Sequence, residues 1–243
     1  MIRKRANKFK KSTWIEEHYA KQLKQVAREI GRIVNTFDPL DVKGLNATKA
    51  ALENYANTLE PWAVKTAVEL GEKLDAQDKA MWRRNSLDIS AGLKKLILQS
   101  DMGQEIRNFQ ARQVDLITSL PLEAATRVHE LALQARIGGK RPEEIVEQIL
   151  SSGQVTESRA KLIARTEIAK TGSILTEQRA KSIGATQYIW RTSRDAGVRE
   201  SHKEMEGMVC EIDHPPMLSD GTRTAPGQIY NCRCTSEFIL PEL

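Results

Sequence analysis

Apolar residues recur every three or four positions from Thr13 onward. The first such run consists of Ile15, Tyr19, Leu23, Val26, Ile30 and Val34. It begins at the segment TWIE, which is typical of a helix-capping box, and it stops at DPLD, residues 38–41. Because this spacing places the apolar side chains on one face of an α-helix, we predict a helix that begins at Thr13 and ends before DPLD.

The same periodicity predicts further helices in the first half of the chain. Their ranges are 46–59, 61–76, 78–99 and 103–118. Proline is well tolerated at the first position of a helix, so we expect Pro61, Pro121 and Pro142 each to open one. The Gly138-Gly139 pair is expected to separate the last two helices.

Several aromatic and histidine side chains are embedded in this helical pattern. Trp14, Trp62 and Trp82 are isolated, so we expect them to be core or interface anchors rather than a base-stacking surface. His18 and His129 have no second metal-ligating residue at a useful spacing. We therefore expect both histidines to be structural.

The pattern changes after the segment SSGQ at 151–154, which we interpret as a linker. A long helix is predicted over 156–184, capped by Thr156 and ended by Gly184. Next come a strand in TQYIWRTS, a turn and short helix in DAGVRESHKEMEG, and a strand in MVCEI. A Pro/Gly-rich loop at 213–230 then precedes a final strand in CRCTSEFIL.

These elements predict a fold that is α+β overall and mostly α. A helical domain, 12–155, is followed by a small α+β domain, 156–243, with a long helix and a few short strands. The composition agrees, since aromatic residues make up only 5% of the chain and charged residues 28%. No apolar run approaches the roughly 20 residues that span a bilayer, and none follows the basic start as in a signal peptide. We therefore expect a soluble protein that is not exported by the ordinary route.

The net charge of +5 is concentrated in the first eleven residues, MIRKRANKFKK, which contain no acidic side chain. Their basic residues are Arg3, Lys4, Arg5, Lys8, Lys10 and Lys11. A short segment of like charge tends to stay flexible until it meets phosphate or an acidic surface. We predict that 1–11 is a basic arm that binds DNA or a partner protein; the alternative is a solvated tail.

The chain contains three cysteines, an odd number, and two of them are separated by one residue. Cys232 and Cys234 would make a poor disulfide with each other, which favours a reducing compartment with free or metal-bound thiols. In an extended strand both would project from the same face, about 7 Å apart. Together with His202 they supply three ligands of a tetrahedral Zn²⁺ site. The candidates for the fourth ligand are Asp195, Cys210, His214 and water.

Two other interpretations of these residues remain open. The spacing is CxC rather than the CxxC of zinc knuckles, and on spacing alone reduced thiols packed under a terminal strand are slightly favoured over a metal site. His202 and Glu204 also form the HxE sequence of zinc deaminases, in which the glutamate moves protons for a metal-bound water. That match is imperfect, because Pro226 is six residues from Cys232 and the pair is CxC. A Cys-His hydrolase is weaker still, since nothing singles out one thiolate as nucleophile.

The segments IARTEIAKTGS, YIWRTSRDAGVRESHKEMEG and PGQIYNCRC occur in this order. This combination resembles the C-terminal domain of the phage Mu protein F-like family, the minor head or head morphogenesis proteins of tailed phages and prophages. The matching residues are Arg165, Thr166, Glu167, Tyr188, Trp190, Asp195, Val198, Arg199, His202, Gly207, Pro226, Gly227, Asn231, Cys232, Arg233 and Cys234. The resemblance extends over roughly residues 115 to 240. One departure is DAGVR, where the family more often has a basic residue directly after the aspartate.

The resemblance implies a minor head protein that is not an enzyme. Such a protein would enter the prohead with the portal protein and act in head morphogenesis, DNA packaging or ejection. The implied partners are the portal protein, the major capsid or scaffolding protein, and genomic DNA through the basic arm, with no membrane involved during assembly. The implied location is the virion, in the capsid interior or at the portal vertex, after assembly in the host cytoplasm. Among the candidate Zn²⁺ ligands, the resemblance favours Asp195, His202, Cys232 and Cys234 over Cys210 and His214.

Two functional alternatives remain at this point. The chain is also compatible with a zinc-dependent nucleic-acid-acting or toxin-like effector domain carried in the particle, with the same cluster as its catalytic centre. In that case Glu204 would be essential. The second alternative is a DNA-binding accessory protein that works through the basic arm, and its binding would depend strongly on salt.

Overall fold

The computed structural model describes residues 13–38, 41–85, 91–137 and 142–241 of the 243-residue chain. The helices are α1 (Thr13–Val34), α2 (Val42–Asn85), α3 (Ala91–Gln99), α4 (Gly103–Ile137), α5 (Pro142–Leu150), α6 (Ser152–Ser182) and α7 (Glu200–Lys203). The strands are β1 (Gln187–Arg191), β2 (Val209–Glu211) and β3 (Thr235–Ile239). The prediction of a mostly α fold with a few short strands is thereby confirmed. The predicted basic arm and the Gly138-Gly139 break lie outside the described residues.

The helices are longer than the sequence pattern predicts. The proline at position 61 lies inside α2 and the one at 121 lies inside α4, so the prediction that each opens a helix is wrong. Pro61 is exposed, whereas Leu59 and Ala63 on either side of it are buried. Burial of this face favours a continuous helix, although an interior proline costs about 3 kcal/mol. Helices are present where they are predicted to follow Thr13 and Pro142, as α1 and α5.

Helix α6 begins at Ser152, so the predicted linker at 151–154 is largely helical. The Thr156 hydroxyl donates to the carbonyl of Ser152 at 2.8 Å, one helical turn earlier, and therefore does not cap the helix. The helix ends close to the predicted position. Gly184 has a left-handed φ of +84°, and the next amide, of Ala185, returns to the carbonyl of Ala180 at 3.0 Å.

The chain forms two compact units. One, which we call the sheet unit, comprises the described residues within Met1–Glu16, Leu70–Phe109 and Arg165–Leu243. The other, the helical unit, comprises those within Glu17–Glu69 and Gln110–Ala164. This division differs from the predicted boundary at 155/156, because the second part of α2 and the start of α4 belong with the strands.

The helical unit is built around close helix packing. The Tyr19 hydroxyl of α1 donates to the side chain of Gln113 in α4 at 2.9 Å within the interior. Gly31 and Gly153 allow α1 and α6 to approach each other, since a Cβ at Gly153 would lie 2.9 Å from the Gly31 Cα. In the described part of the chain, no helix has both the length and the apolar content that crossing a membrane requires.

The sheet unit contains an antiparallel three-stranded sheet in the order β2-β1-β3. Its core includes Trp82, Tyr188, Trp190 and Phe238, and the Tyr188 and Phe238 rings meet edge to face at 6.2 Å. The predicted core role of Trp82 is confirmed by its burial. Trp14, in contrast, is 60% exposed and lies near the Lys73 ammonium, so it is not a core residue.

A buried ion cluster lies between α2 and α6 within the sheet unit. The Arg179 guanidinium is fully buried and donates to the carboxylates of Asp75 and Asp78. Thr176 donates to Asp78 as well. A buried guanidinium is tolerated only with paired acceptors. Burial of Arg179 on α6 therefore depends on the two carboxylates that α2 supplies.

Candidate metal centre

The histidine of the predicted ligand set is fixed by the short helix α7. This helix begins after Arg199, whose backbone is extended, and it places His202 in the interior with 1% exposure. Trp190 of β1 packs edge-on against the imidazole, with the ring centroids 5.3 Å apart. The orientation of the His202 ring is therefore set by packing against the central strand.

The structure brings His202, Cys232 and Cys234 together. The Nδ1 atom of His202 lies 3.4 Å from the sulfur of Cys234 and 3.6 Å from the sulfur of Cys232. All three ligand atoms lie within 4.8 Å of one another, and both cysteines are 3% exposed. The three side chains thus converge on one point in the core.

This geometry fits a tetrahedral zinc ion. Zinc bonds of about 2.3 Å to sulfur and about 2.1 Å to nitrogen would separate two such ligand atoms by about 3.6 Å. A single ring nitrogen at nearly equal distances from two sulfurs is also a poor arrangement for one linear hydrogen bond. The Nε2 atom of His202 is buried and has no hydrogen-bond partner among the described residues. The donor set is that of a soft-ligand zinc site.

The two cysteines precede the last strand instead of lying in it. Strand β3 begins at Thr235, so the prediction that CRC is part of the strand is wrong. Asn231 has a left-handed φ of 55°, and the Cys232 amide donates to the carbonyl of Ile229 at 3.3 Å. A turn, not strand pleating, therefore directs both sulfurs to His202.

The structure does not bring Asp195 into this cluster. Its carboxylate accepts hydrogen bonds from the Gly197 amide at 2.9 Å and from the Arg233 guanidinium, at an exposed position. Hydrogen bonds from Ser193, from the Gly197 amide and from Arg233 lower the pKa of Asp195. Arg233 lies between the two cysteines, so Asp195 contacts the outer side of the segment whose inner side carries the sulfurs.

The other candidates for the fourth ligand also lie outside the cluster. Cys210 is buried in β2, with its sulfur 3.8 Å from the carbonyl of Met208, and burial raises the pKa of its thiol. His214 is exposed. Among the described histidine, cysteine and acidic residues, the cluster of potential ligands consists of His202, Cys232 and Cys234 alone.

The geometry does not favour a deaminase-like centre. That chemistry requires a carboxylate beside the metal. Glu204 is exposed, its amide donates to the carbonyl of Glu200 at the end of α7, and it is not part of the cluster.

The ARTE segment of α6 holds the loop that carries the cysteines. Arg165 donates to the side chain of Asn231 at 3.0 Å, and the Asn231 amide donates to the Thr166 hydroxyl at 3.1 Å. Arg165 also pairs with Glu16, while Glu167 is buried. Arg165 and Thr166 therefore act as supports of Asn231.

Two further supports were not found from the sequence. The Ser173 hydroxyl donates to the carbonyl of Pro226 at 2.6 Å, and the Gly227 amide donates to the sulfur of Cys232 at 3.4 Å. The signal that was available is the position of Ser173, seven residues or about two helical turns after Thr166, which places both on one face of α6.

Residues 126–237 match the family described as Phage Mu protein F like protein. The match includes the supports on α6 and all three residues of the cluster. This segment is similar to the Phage Mu protein F like family. The resemblance stated from the sequence is thereby confirmed. We call residues 126–237 the Mu F-like segment, and the match indicates a phage head-related protein.

Two curated relatives are similar to this chain. One matches nearly its whole length, and the other, which matches half of it, is named as an enzyme. An uncharacterized protein of Haemophilus influenzae is 30% identical over 258 residues, covering 97% of this chain and 56% of the relative. The NAD(+)--arginine ADP-ribosyltransferase EFV of Enterococcus faecalis is 27% identical over 135 residues, covering 50% of this chain and 28% of that enzyme. The chain therefore spans about half of the first relative and less of the second. No solved structure matches the chain.

Proposed function

We propose that the protein is a minor head protein of a tailed phage or prophage. It enters the prohead with the portal protein and acts in head morphogenesis, DNA packaging or ejection. The observation that carries this proposal is the Mu F-like segment over 126–237. In this proposal the mature location is the virion, in the capsid interior or at the portal vertex.

We also propose that His202, Cys232 and Cys234 hold Zn²⁺. The support is their convergence in the core at the separations expected for tetrahedral coordination. When bound, the ion would supply a cross-link between α7 and the segment before β3, which are about 30 positions apart in the chain. The role of the centre is then to stabilise the sheet unit rather than to catalyse a reaction.

In this proposal the protein binds partners and is not an enzyme. Exposure of Glu204 argues against a metal-activated water with a neighbouring carboxylate. The arginine ADP-ribosyltransferase activity for which the Enterococcus faecalis relative is named belongs to that protein, of which this chain covers 28%. The proposed partners are the portal protein and the major capsid or scaffolding protein, together with DNA at the basic arm.

Co-expression with the portal protein of the same phage tests this function. We expect the two proteins to co-purify through a tag on the portal protein, and the minor head protein to appear in purified proheads when the capsid and scaffolding proteins are added. A variant lacking residues 1–11 separates the arm from the folded units. If portal binding is retained and salt-sensitive DNA binding is lost, the arm is the DNA contact. Absence of the full-length protein from both the portal complex and the proheads would contradict the proposal.

A further inference from the structure

We propose that Ser173 and Gly227 are positioning residues of the metal centre, which hold the sulfur of Cys232 for coordination. This inference rests on the proposed Zn²⁺ centre and concerns how the chain maintains it. The metal ligands are on α7 and in the loop before β3, whereas Ser173 is on α6. The inference therefore assigns part of the metal affinity to a helix that contributes no ligand.

One face of α6 contacts the loop at three points. Thr166 accepts a hydrogen bond from the Asn231 amide, Ser173 donates to the Pro226 carbonyl, and Glu177 accepts from the side chain of Gln228 at 3.0 Å. The three helical positions are separated by seven and four residues. With about 3.6 residues per turn, they fall within roughly 40° of the helix circumference. A single polar stripe thus fixes the loop over 226–231.

The peptide unit between Pro226 and Gly227 transmits this contact to the metal centre. The oxygen of this peptide accepts a hydrogen bond from the Ser173 hydroxyl, and the N–H of the same peptide donates to the sulfur of Cys232. In a planar trans peptide the C=O and the N–H point in opposite directions. Fixing the oxygen on the α6 side therefore directs the N–H to the sulfur on the other side.

The position next to this peptide requires glycine. Gly227 has a φ of +81°, and a Cβ there would lie 3.2 Å from the Cys234 carbonyl oxygen and 3.3 Å from the Ser173 Cβ. The backbone thus passes between Ser173 and the second cysteine without space for a side chain. Residues that orient metal ligands contribute to metal affinity because they reduce the rearrangement needed on binding.

The first comparison replaces the Ser173 hydroxyl in the full chain. We expect Ser173→Ala to weaken Zn²⁺ binding by about 10-fold, measured by competition with a chromophoric chelator. Ser182→Ala is the matched control. It makes the same change on the same helix, but the Ser182 hydroxyl donates to the carbonyl of Arg179 in α6 itself. We expect the control to bind zinc like the unchanged protein.

The second comparison addresses the glycine. Gly227→Ala is expected to weaken Zn²⁺ binding at least 10-fold, and Gly221→Ala less than about 2-fold. Gly221 has almost the same φ, +80°, and a Cβ there would meet no atom within 4 Å. Both variants therefore introduce similar backbone strain, and the difference between them measures the contact at the metal centre.

Cobalt substitution supplies a readout that general destabilisation does not change. Thiolate ligation of Co²⁺ gives a charge-transfer absorption whose energy and intensity depend on the orientation of the sulfur. We expect this band to shift in Ser173→Ala and Gly227→Ala and to be unchanged in the controls. If the unchanged protein binds metal and both variants match their controls, the positioning role is overturned and the metal centre stands. If the unchanged protein binds neither ion, the metal centre and the positioning role are both overturned.

Discussion

At the scale of single residues, Glu177 has an unusual environment. Burial raises the pKa of its carboxyl to about 7. Lys181 lowers this pKa, and so does the hydrogen bond from Gln228, while the nearby charges of Asp213 and Glu105 raise it. The same carboxyl accepts the hydrogen bond from the loop at 226–231, so its charge bears on how firmly that loop is held.

The raised pKa of Glu177 predicts a pH-dependent stability. The folded state retains the Glu177 proton up to about pH 7, whereas the unfolded chain loses it near pH 4.5. The contribution of protonated Glu177 to the free energy of unfolding is therefore complete below about pH 4.5 and is lost as the pH rises to about 7. We expect Glu177→Gln to reduce the loss of stability between pH 5 and pH 8 by about 1–2 kcal/mol, measured by urea unfolding. Glu147→Gln, which removes an exposed carboxylate, should leave that loss unchanged. An equal loss in the unchanged protein and in Glu177→Gln would contradict the prediction.

The sequence was informative about the candidate metal ligands because the chemistry of such ligands is restrictive. Two cysteines one residue apart and an upstream histidine predicted the cluster that the structure contains. Asp195 was different, since a carboxylate also serves as a turn acceptor and an ion-pair partner, and it has both roles here. Ser173 was not found because a serine on a long helix has no distinctive pattern until its partner, the Pro226 carbonyl, is known.

At the scale of secondary-structure elements, periodicity predicted that helices form but not where they end. Helices α2 and α4 continue past prolines that local rules place at helix starts, and α6 starts four residues before the predicted cap at Thr156. Such boundaries depend on burial against other elements, which residue spacing alone does not specify. The strands were easier to predict, since β1, with buried residues at its centre, lies within the predicted segment TQYIWRTS.

Two glycines of α6 should respond oppositely to alanine. A Cβ at Gly153 would lie 2.9 Å from the Gly31 Cα, so we expect Gly153→Ala to destabilise the protein by about 1–3 kcal/mol. A Cβ at Gly172 would meet no atom within 4 Å, so Gly172→Ala should stabilise it by about 0.5–1 kcal/mol through helix propensity. Chemical denaturation of both variants checks this. The same sign for both would show that backbone proximity at Gly31 does not govern the effect.

At the scale of the whole molecule, the mostly α fold and the small sheet were predicted, but the composition of the units was not. The sheet unit includes Leu70–Phe109, which precedes the Mu F-like segment in the chain. The sequence gives no local sign of this, because membership depends on side chains such as Trp82 that pack only in the folded state. The described boundaries between units lie inside α1, α2, α4 and α6, where no composition change marks them.

Removing the proposed metal should loosen the sheet unit selectively. We expect chelation to accelerate amide hydrogen exchange in α7, in β3 and in the loop between Pro226 and Cys234, because the cross-link between these elements is lost. The buried part of α1 in the helical unit, around Leu23, is the internal control and should keep its protection. His202→Ala should reproduce the pattern without chelator. Unchanged exchange after verified metal removal would contradict a stabilising role.

The carboxylates that pair with Arg179 also determine how the protein can be divided into fragments. A fragment of 156–243 would contain Arg179 without Asp75 and Asp78, its partners on α2. Such a fragment would have either an uncompensated buried cation, which destabilises the fold by about 3–5 kcal/mol, or an exposed core. A peptide of 70–109 supplied as a separate chain would return both carboxylates together with Trp82. Complementation by two chains, rather than truncation of one, is therefore the means of keeping Arg179 paired in a fragment of the sheet unit.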